Sequence, residues 1–198
     1  MKIDPDIVRQ HSKRSHLKSH LRVTPLAHAA TPLGMGFGKT RLACPDDTFK
    51  VLYIAPQLVT GVAETIIRDR FVEKAQRRLT EEDIETWGAT EVESREALNI
   101  LDLRKLAPHH LGLRTDALLA KNQAAGRRVS RAIYEQAPRV DAILYTSRLT
   151  KMNCVCVYDR AATKLHAGPV HPLINLRALT PALELLKIQV LRAPIARP

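Results

Sequence analysis

Short, compact runs of apolar residues recur along the chain and predict the strands of a buried sheet. The clearest run is 51–55, Val-Leu-Tyr-Ile-Ala, which Pro56 stops. Runs of this length, bounded by turn residues and rich in branched side chains, are typical of strands that are covered on both faces. The same pattern predicts strands over 94–103, 140–145 and 154–158, and an edge strand over 172–177.

Apolar residues at helical spacing predict four helices among these strands. One helix is expected to begin at Thr60, whose hydroxyl would cap it, and to run to about Arg78. Thr180 followed by Pro181 is an N-cap and first-turn pair, and it predicts a final helix that extends to Leu191. The other two helices are predicted over 6–21 and 117–137, with a mostly irregular loop over 22–50 and an acidic connector over 80–93.

The order of these elements predicts an α+β fold. Strands and helices are mixed without a regular strand–helix–strand repeat, which favours a mixed β-sheet core flanked by helices. The length of 198 residues fits one domain with an extension. We assign residues 1–20 to an N-terminal helical extension and residues 21–198 to the main domain.

The composition excludes several classes of protein. Hydrophobic residues make up 45% and charged residues 26% of the chain, which is typical of globular domains rather than disordered ones. Three cysteines are an odd number and suit a reducing compartment, so we expect a cytoplasmic protein without disulfides. No apolar run reaches the roughly 18 residues that a membrane span needs. The charged, His-rich start of the chain is not expected to be a signal peptide.

The net charge of +11 favours anionic partners. Nucleic acid, a phosphorylated small molecule and an acidic protein all fit this charge, and so does a solvated basic surface. No block of five consecutive basic residues appears, and the single Trp with few Tyr and Phe does not form a stacking platform for single strands. We therefore expect no direct contact with nucleic acid. A non-catalytic basic binding module, for nucleic acid or for a protein partner, is the alternative function.

The segment 34–40, Gly-Met-Gly-Phe-Gly-Lys-Thr, suggests a phosphate-binding loop. A P-loop that ends in Gly38 and Lys39 would need its first glycine at position 33, where the chain has Leu33. No predicted strand precedes the segment, and Pro45 follows where a helix should begin. The spacing disfavours a P-loop and leaves two interpretations, a flexible glycine turn or a loop whose backbone comes close to a ligand.

A few side chains could carry chemistry, but each also has an ordinary structural explanation. Glu64 is expected in the first turn of a helix, where the helix dipole favours any carboxylate. Ser147 ends a buried strand, but no Ser-His-Asp order or nucleophile elbow surrounds it. Cys154 and Cys156 share one strand face, as a pair of small buried hydrophobes would. The histidines have no Cys or carboxylate at ligand spacing, so no metal site is predicted.

Five short motifs, taken in order, resemble the RES-domain family. The family pattern is an early Arg, a glycine turn leading into a second Arg, a Leu-Tyr-x-Ala strand, a helix carrying a Glu, and a strand ending in Tyr-x-Ser-Arg. The resemblance covers residues 21–191, and its motifs here are Leu21-Arg22-Val23, Gly36-Phe37-Gly38-Lys39-Thr40-Arg41-Leu42, Val51-Leu52-Tyr53-Ile54-Ala55, Ala63-Glu64-Thr65 and Ile143-Leu144-Tyr145-Thr146-Ser147-Arg148-Leu149. Val23 and Leu42 depart from it, since some members have aromatic residues there.

The resemblance implies an ADP-ribosyltransferase-like fold for the main domain and an activity on NAD. Members cleave the nicotinamide–ribose bond by hydrolysis, phosphorolysis or ADP-ribosyl transfer, with NAD as substrate and without a cofactor or metal. Several are toxins of type II toxin–antitoxin pairs, and their partner is an Xre-type antitoxin. The oligomeric state stays open, with the helix predicted over 6–21 and the final helix as candidate interfaces.

The resemblance also assigns roles to individual residues. Arginine suits a diphosphate because its planar guanidinium makes forked, charge-assisted hydrogen bonds. A carboxylate would stabilise the positive charge that develops on the ribose as nicotinamide leaves, more strongly in the transition state than in the ground state. The implied catalytic residues are Glu64, Arg41 and Ser147, and the implied NAD-binding residues are Arg22, Arg41, Tyr53 and Gly38.

Overall fold

The computed structural model describes residues 1–71, 76–113 and 123–191 of the chain. Its helices are, in chain order, α1 Pro5–His11, α2 Leu58–Val62, α3 Arg68–Arg70, α4 Glu81–Glu85, α5 Ala107–His110, α6 Ala124–Gln136 and α7 Leu179–Leu185. A π-helical turn, Ala63–Ile67, links α2 to α3, and short 3-10 turns cover Leu26–His28, Asp159–Lys164 and Leu173–Asn175. The strands are β1 Ser12–Ser15, β2 His20–Pro25, β3 Val51–Ile54, β4 Arg77–Thr80, β5 Trp87–Ser94, β6 Leu98–Asp102, β7 Ala142–Thr146, β8 Asn153–Tyr158, β9 Leu165–Ala167, β10 His171–Pro172 and β11 Ile188–Leu191.

The strands form two main sheets and one separate pair. The first sheet has the order β1-β6-β7-β8-β3, in which β6 and β7 are parallel and the other neighbours are antiparallel. In the second sheet β5 pairs with β2, β9 and β10, always antiparallel. Strands β4 and β11 form a parallel pair. These mixed sheets with their flanking helices confirm the predicted α+β fold.

The centre of the five-stranded sheet is its most buried part. Strand β8, the predicted run of alternating Cys and Val, is buried from Cys154 to Tyr158. Helix α6 packs Val129 and Ile133 into the same core and ends just before Pro138, as predicted, while residues 117–122 of its predicted range lie outside the described part. Over the described ranges, no helix combines the length and apolar character that crossing a membrane requires.

The prediction of a helix over 6–21 is wrong for the residues after His11. Helix α1 ends there, and the next four residues form β1, the edge strand that pairs with β6. The apolar residues of this segment are too widely spaced to give a helix a continuous buried stripe. An edge strand instead satisfies its backbone through β6 while its polar side chains stay near solvent. The start of the chain is therefore part of the main sheet.

The acidic connector predicted over 80–93 is wrong, because this stretch contains α4 and β5. Thr80 and Asp83 form a capping box, in which each side chain accepts a hydrogen bond from the other residue's backbone N–H at 3.0 Å. Strand β5 then exposes Glu91 and Glu93 while it buries the residues between and after them. The acidic composition thus favoured the prediction of a connector, although the stretch forms a capped helix and a strand with alternating burial.

Three further boundaries differ from the sequence prediction. The helix expected from Thr60 to Arg78 begins at Leu58, and Arg77 and Arg78 lie in β4 instead. The final helix ends at Leu185 because Lys187 adopts a left-handed conformation, with φ of 53°, and β11 follows. Of the edge strand predicted over 172–177, only the first residue pairs with β5, and a 3-10 turn comes next.

The two main sheets meet at an isolated antiparallel bridge, which we call the seam. Leu21 in β2 donates its N–H to the carbonyl of Ala55 at 2.7 Å, and Ala55 donates back to Leu21 at 3.0 Å. The seam brings the middle of β2 beside the end of β3. Residues that flank Leu21 and Ala55 in sequence therefore become neighbours in space.

Candidate functional site

A cavity of 490 Å³ lies beside the seam, and we call it the seam cavity. Its walls come from β2, β3, the π-helical turn and the glycine loop at residues 31–36. Three residues that the sequence predicts as site residues, Arg22, Tyr53 and Glu64, line it together. The structure thus gathers on one cavity side chains that are up to 42 positions apart in the sequence.

Arg22 fastens the glycine loop to β2. Its guanidinium donates to the carbonyl of Pro32 through Nη1 and to that of Gly34 through Nη2, both at 2.6 Å. Burial lowers the pKa of Arg22 to about 10, so the group remains protonated at neutral pH. The side chain therefore supplies a positive charge to the cavity and supports its rim, and its other N–H donors stay available to a ligand.

Glu64 lies in the π-helical turn, which corrects its predicted position in the first turn of a helix. The helix has already begun at Leu58, so the dipole at a helix N-terminus does not explain this carboxylate. A π-helical turn holds one residue more than an α-helical turn and is frequent at functional sites. Glu64 is half-buried, lines the cavity, and accepts a 2.6 Å hydrogen bond at Oε1 from Ser147.

Ser147 supports Glu64 from inside the protein. The residue is fully buried and follows the last residue of β7. Its Oγ donates to Glu64 and accepts the backbone N–H groups of Leu149 and Thr150, each at 3.2 Å. Because these contacts use the hydroxyl and none of its surface is exposed, Ser147 contacts the Glu64 carboxylate from behind and does not line the seam cavity itself.

Tyr53 ties β3 to the segment that follows the glycine loop. Its hydroxyl shares a 2.7 Å hydrogen bond with Thr40 Oγ1 and accepts the backbone N–H of Leu42 at 3.0 Å. Burial raises the pKa of Tyr53 well above its usual 10.0. The hydroxyl is thus neutral at neutral pH and structural, while the residue also lines the cavity.

Arg41 and Gly38 are not among the residues that line the seam cavity. Burial lowers the pKa of Arg41, the Glu64 carboxylate raises it, and the neighbouring Arg148 lowers it. Arg41 therefore belongs to the electrostatic environment of Glu64. A Cβ added to Gly38 would meet the methyl of Thr40 at 3.8 Å, an ordinary contact, so space does not demand glycine there.

Two residues that sequence reasoning missed also line the cavity. Trp87, the single Trp of the chain, stands opposite Pro25 in the β2–β5 ladder. Arg68 lies four residues after Glu64. The alternating residue pattern of β5 could have predicted a strand that includes Trp87. We predicted an acidic connector instead because the stretch is rich in Glu. The spacing of four, which brings side chains to one helix face, was the signal for Arg68.

The departures from the family pattern have different surroundings. Val23 lines the cavity, and its Cγ2 would lie 3.0 Å from a Cβ added to Gly61 in α2, so β2 and α2 are closely packed here. Leu42 is fully buried in the main core. Neither position supplies an aromatic side chain, but Trp87 supplies one on another wall of the seam cavity.

The remaining chemical candidates stay outside this site. Cys154 and Cys156 are free, buried and on neighbouring inward positions of β8. Burial raises the pKa of Cys154 to about 12, so it is not a thiolate nucleophile at neutral pH. Among residues 1–71, 76–113 and 123–191, no group of three or more His, Cys, Asp or Glu side chains could hold a metal ion.

Comparisons with known proteins identify the family and the fold. A probable toxin, y4kH of Sinorhizobium fredii (strain NBRC 101917 / NGR234), is 30% identical over 95 residues, which cover 48% of this chain and 75% of that protein. The fold is similar to a chain in the crystal structure of the M. tuberculosis MbcT–MbcA toxin–antitoxin complex, with a TM-score of 0.66, 16% identity and coverage of 92% of this chain and 98% of that one. The family model of the RES domain matches residues 14–183, and the chain therefore belongs to the RES domain family.

Proposed function

We propose that this chain cleaves the nicotinamide–ribose bond of NAD. The observation that carries the proposal is the Glu64 carboxylate in the seam cavity, held by the buried Ser147 hydroxyl at 2.6 Å, in a cavity that Arg22 also lines. A fixed carboxylate and a fixed guanidinium match the two charges that matter in this reaction. The ribose becomes positive as the bond breaks, and the diphosphate is negative throughout.

The reaction breaks the C–N bond between C1′ of the ribose and nicotinamide, and nicotinamide leaves with the bonding electrons. An acceptor oxygen from water, phosphate or a protein side chain then bonds to C1′ and loses its proton. Glu64 stabilises the cationic ribose between these events. Arg22 attracts the diphosphate, with Arg41 as a further positive charge near Glu64. Trp87 offers a flat surface against which a ring of the substrate can pack.

We propose that the chain is the toxin of a type II toxin–antitoxin pair. It would act in the cytoplasm, where NAD is abundant. Its support is the named toxin among the relatives and the toxin–antitoxin complex among similar folds. An Xre-type antitoxin is the proposed partner. NAD depletion and growth arrest on expression of the wild type, and normal growth with Glu64→Gln, are the outcomes that this role predicts.

A nicotinamide-release assay on purified protein tests the activity. Glu64→Gln keeps the size of the side chain but removes its charge, so we expect release from NAD to fall at least about 100-fold. Glu93→Gln is the matched control, because Glu93 is exposed on β5 and does not line the cavity. It should retain wild-type turnover.

Two results would contradict the proposal. Wild-type protein that releases no nicotinamide from NAD, although folded, would refute the activity. Equal turnover in Glu64→Gln and the wild type would refute the role of Glu64. Circular dichroism and thermal unfolding of each variant separate these results from misfolding.

A further inference from the structure

A second and larger cavity, of 890 Å³, lies at the β1 edge of the five-stranded sheet, and we call it the basic cleft. Its walls come from α1, β1, the start of β6, the end of α6 with the turn after it, and the 3-10 turn Asp159–Lys164. It shares no lining residue with the seam cavity. Any ligand of the basic cleft would therefore bind separately from NAD.

The charge of the basic cleft is strongly unbalanced. One acidic side chain, Asp141, lines it together with five basic ones, which are Arg9, Arg14, Arg139, Arg160 and Lys164. The ammonium of Lys164 donates to both carboxylate oxygens of Asp141 at 2.9 Å, and the backbone N–H of Asn99 donates to Oδ2 at 2.8 Å. The one carboxylate that lines the cleft is thus neutralised by Lys164. Arg9 forms an ion pair with Asp6 at 2.9 Å, and the positive charges of Arg14, Arg139 and Arg160 remain.

Several hydrogen-bond donors of the cleft have no partner in the described part of the chain. The guanidinium groups of Arg14 and Arg139 are exposed and make no side-chain hydrogen bond or ion pair to a described residue. The Oγ of Ser12 is buried and likewise lacks a partner there. Ser12 and Arg14 are two apart on β1, so both side chains leave the strand on the same face.

Other polar groups of the cleft are already paired. Gln136 accepts the N–H of Ile3 at Oε1 and donates to the carbonyl of Met1, while the amide of Asn99 donates to the carbonyl of Arg139. Arg160 donates to the carbonyl of Tyr134 and lies 3.6 Å from the centroid of that ring. What the cleft offers a ligand is therefore positive charge and N–H or O–H donors, without a free carboxylate.

We propose that the basic cleft binds a compact anion that carries two or more phosphate groups. Phosphate oxygens accept hydrogen bonds and donate none, and forked guanidinium groups match their geometry. An acidic peptide fits less well, because its backbone N–H groups need acceptors, and the one carboxylate that lines the cleft, Asp141, is already engaged by Lys164 and Asn99. No aromatic residue lines the cleft, so the phosphate groups and not a stacked base would carry recognition.

Isothermal titration of the full chain with inorganic tripolyphosphate tests this site. The double variant Arg14→Gln, Arg139→Gln removes the two unpaired guanidinium groups, and we expect the Kd to rise at least tenfold. The matched control is Lys13→Gln, Arg128→Gln, which removes the same charge from exposed residues outside the cleft. Its Kd should stay within about twofold to threefold of the wild type, because charge outside the cleft acts only through a screened field.

The outcomes separate the site from general electrostatic attraction. Absence of binding to the wild type, or an equal loss in both double variants, would overturn the proposal. Tighter binding of an oligoglutamate peptide or of a short DNA duplex, at the same salt, would overturn the ligand class. Thermal unfolding checks that each variant is folded, and Arg14→Lys, Arg139→Lys, which keeps the charge, should recover part of the affinity.

This site does not depend on the proposed NAD chemistry. Arg14 and Arg139 lie outside the seam cavity, so their double variant should release nicotinamide at the wild-type rate. Loss of tripolyphosphate binding with unchanged turnover therefore supports the basic cleft alone. An inactive wild type that still binds tripolyphosphate would refute the NAD proposal and leave the cleft intact.

Discussion

Glu64 and Ser147 show how one side chain can act through another. The carboxylate lines the cavity, whereas the hydroxyl that holds it is fully buried and has two backbone N–H groups on its other side. The N–H groups of Leu149 and Thr150 orient the Ser147 oxygen so that its proton points to Glu64. The Ser147 hydroxyl thus restrains the Oε1 end of the Glu64 side chain.

Ser147→Ala is expected to lower kcat more than it changes KM. A hydrogen bond to a charged group contributes about 1.5–3 kcal/mol, so the loss of this bond should reduce kcat roughly 10- to 100-fold. The double variant Ser147→Ala, Glu64→Gln should be no slower than Glu64→Gln alone, because Ser147 acts only through the carboxylate. Steady-state nicotinamide release at several NAD concentrations measures both constants.

Ser130→Ala is the matched control for Ser147→Ala. Ser130 is equally buried and also uses its hydroxyl, towards Leu42 and Tyr158, but it does not line the seam cavity. It should lower thermal stability and leave kcat unchanged. A similar loss of kcat in both variants would mean that Ser147 matters only for folding.

Sequence reasoning predicted three residues that share one cavity because each belongs to a motif of the family pattern. Arg22, Tyr53 and Glu64 line one cavity as the motifs imply. The engagement of Arg22 with the carbonyls of Pro32 and Gly34 could not be predicted, because it depends on how the loop folds back over ten residues. The burial of Ser147 likewise depends on packing between distant elements.

At the scale of elements, strand β5 supports the seam cavity through a position where only glycine fits. A Cβ added to Gly88 would lie 2.6 Å from Val170, 2.7 Å from Leu26 and 3.0 Å from the carbonyl oxygen of His171. Gly88 follows Trp87 and pairs with Thr24 of β2 and Pro172 of β10. Close packing at this residue therefore sets the position of one cavity wall.

Gly88→Ala is expected to destabilise the fold by about 1–3 kcal/mol, the usual cost of overpacking a filled interior. Urea unfolding at equilibrium measures this change in the free energy of unfolding. Gly168→Ala is the control, because an added Cβ there would meet its nearest atom, the carbonyl oxygen of Glu91, at 3.9 Å. Stability equal to the wild type in Gly88→Ala would show that the strands around it can separate without cost.

The accuracy of the predicted elements follows from how their residues are buried. Strands β3, β7 and β8 could be predicted because short apolar runs bounded by turn residues are typical of buried strands. Strands β1 and β4 were not, since they have few buried residues and owe their conformation to partners far along the chain. The π-helical turn at Ala63–Ile67 has no simple sequence pattern and was not predicted. Glu64 lies farther from the start of its helix than predicted because the helix begins at Leu58 and not at Thr60.

On the scale of the whole molecule, the core holds several weakly acidic side chains whose pKa values are raised because they are buried. Burial raises the pKa of Cys154 from 9.0 to about 12, and it raises those of Cys156, Tyr145 and Tyr158 well above their usual values. Each of these groups binds its proton more tightly in the folded than in the unfolded chain. Folding stability therefore depends on pH on the alkaline side.

We expect the free energy of unfolding to fall as pH rises above about 9. The sign follows from linkage, since the unfolded chain releases the Cys154 proton near its ordinary pKa of 9.0, whereas the folded chain keeps it up to about pH 12. Burial shifts the pKa values of Cys156, Tyr145 and Tyr158 in the same direction. Urea unfolding at pH 7, 9 and 10.5 measures the slope. Cys154→Ala should make the slope shallower, and an unchanged or rising stability at high pH would contradict the prediction.

The seam has a thermodynamic consequence for the protein as a whole. Leu21 and Ala55 connect the backbones of the two sheets, and the cavity beside them has one wall on each sheet. A molecule that contacts both walls would therefore stabilise the packing of the two main sheets against each other. A ligand concentration of 100 times the Kd adds about 2.7 kcal/mol to the free energy of unfolding, so the protein should be most stable when a ligand fills the seam cavity.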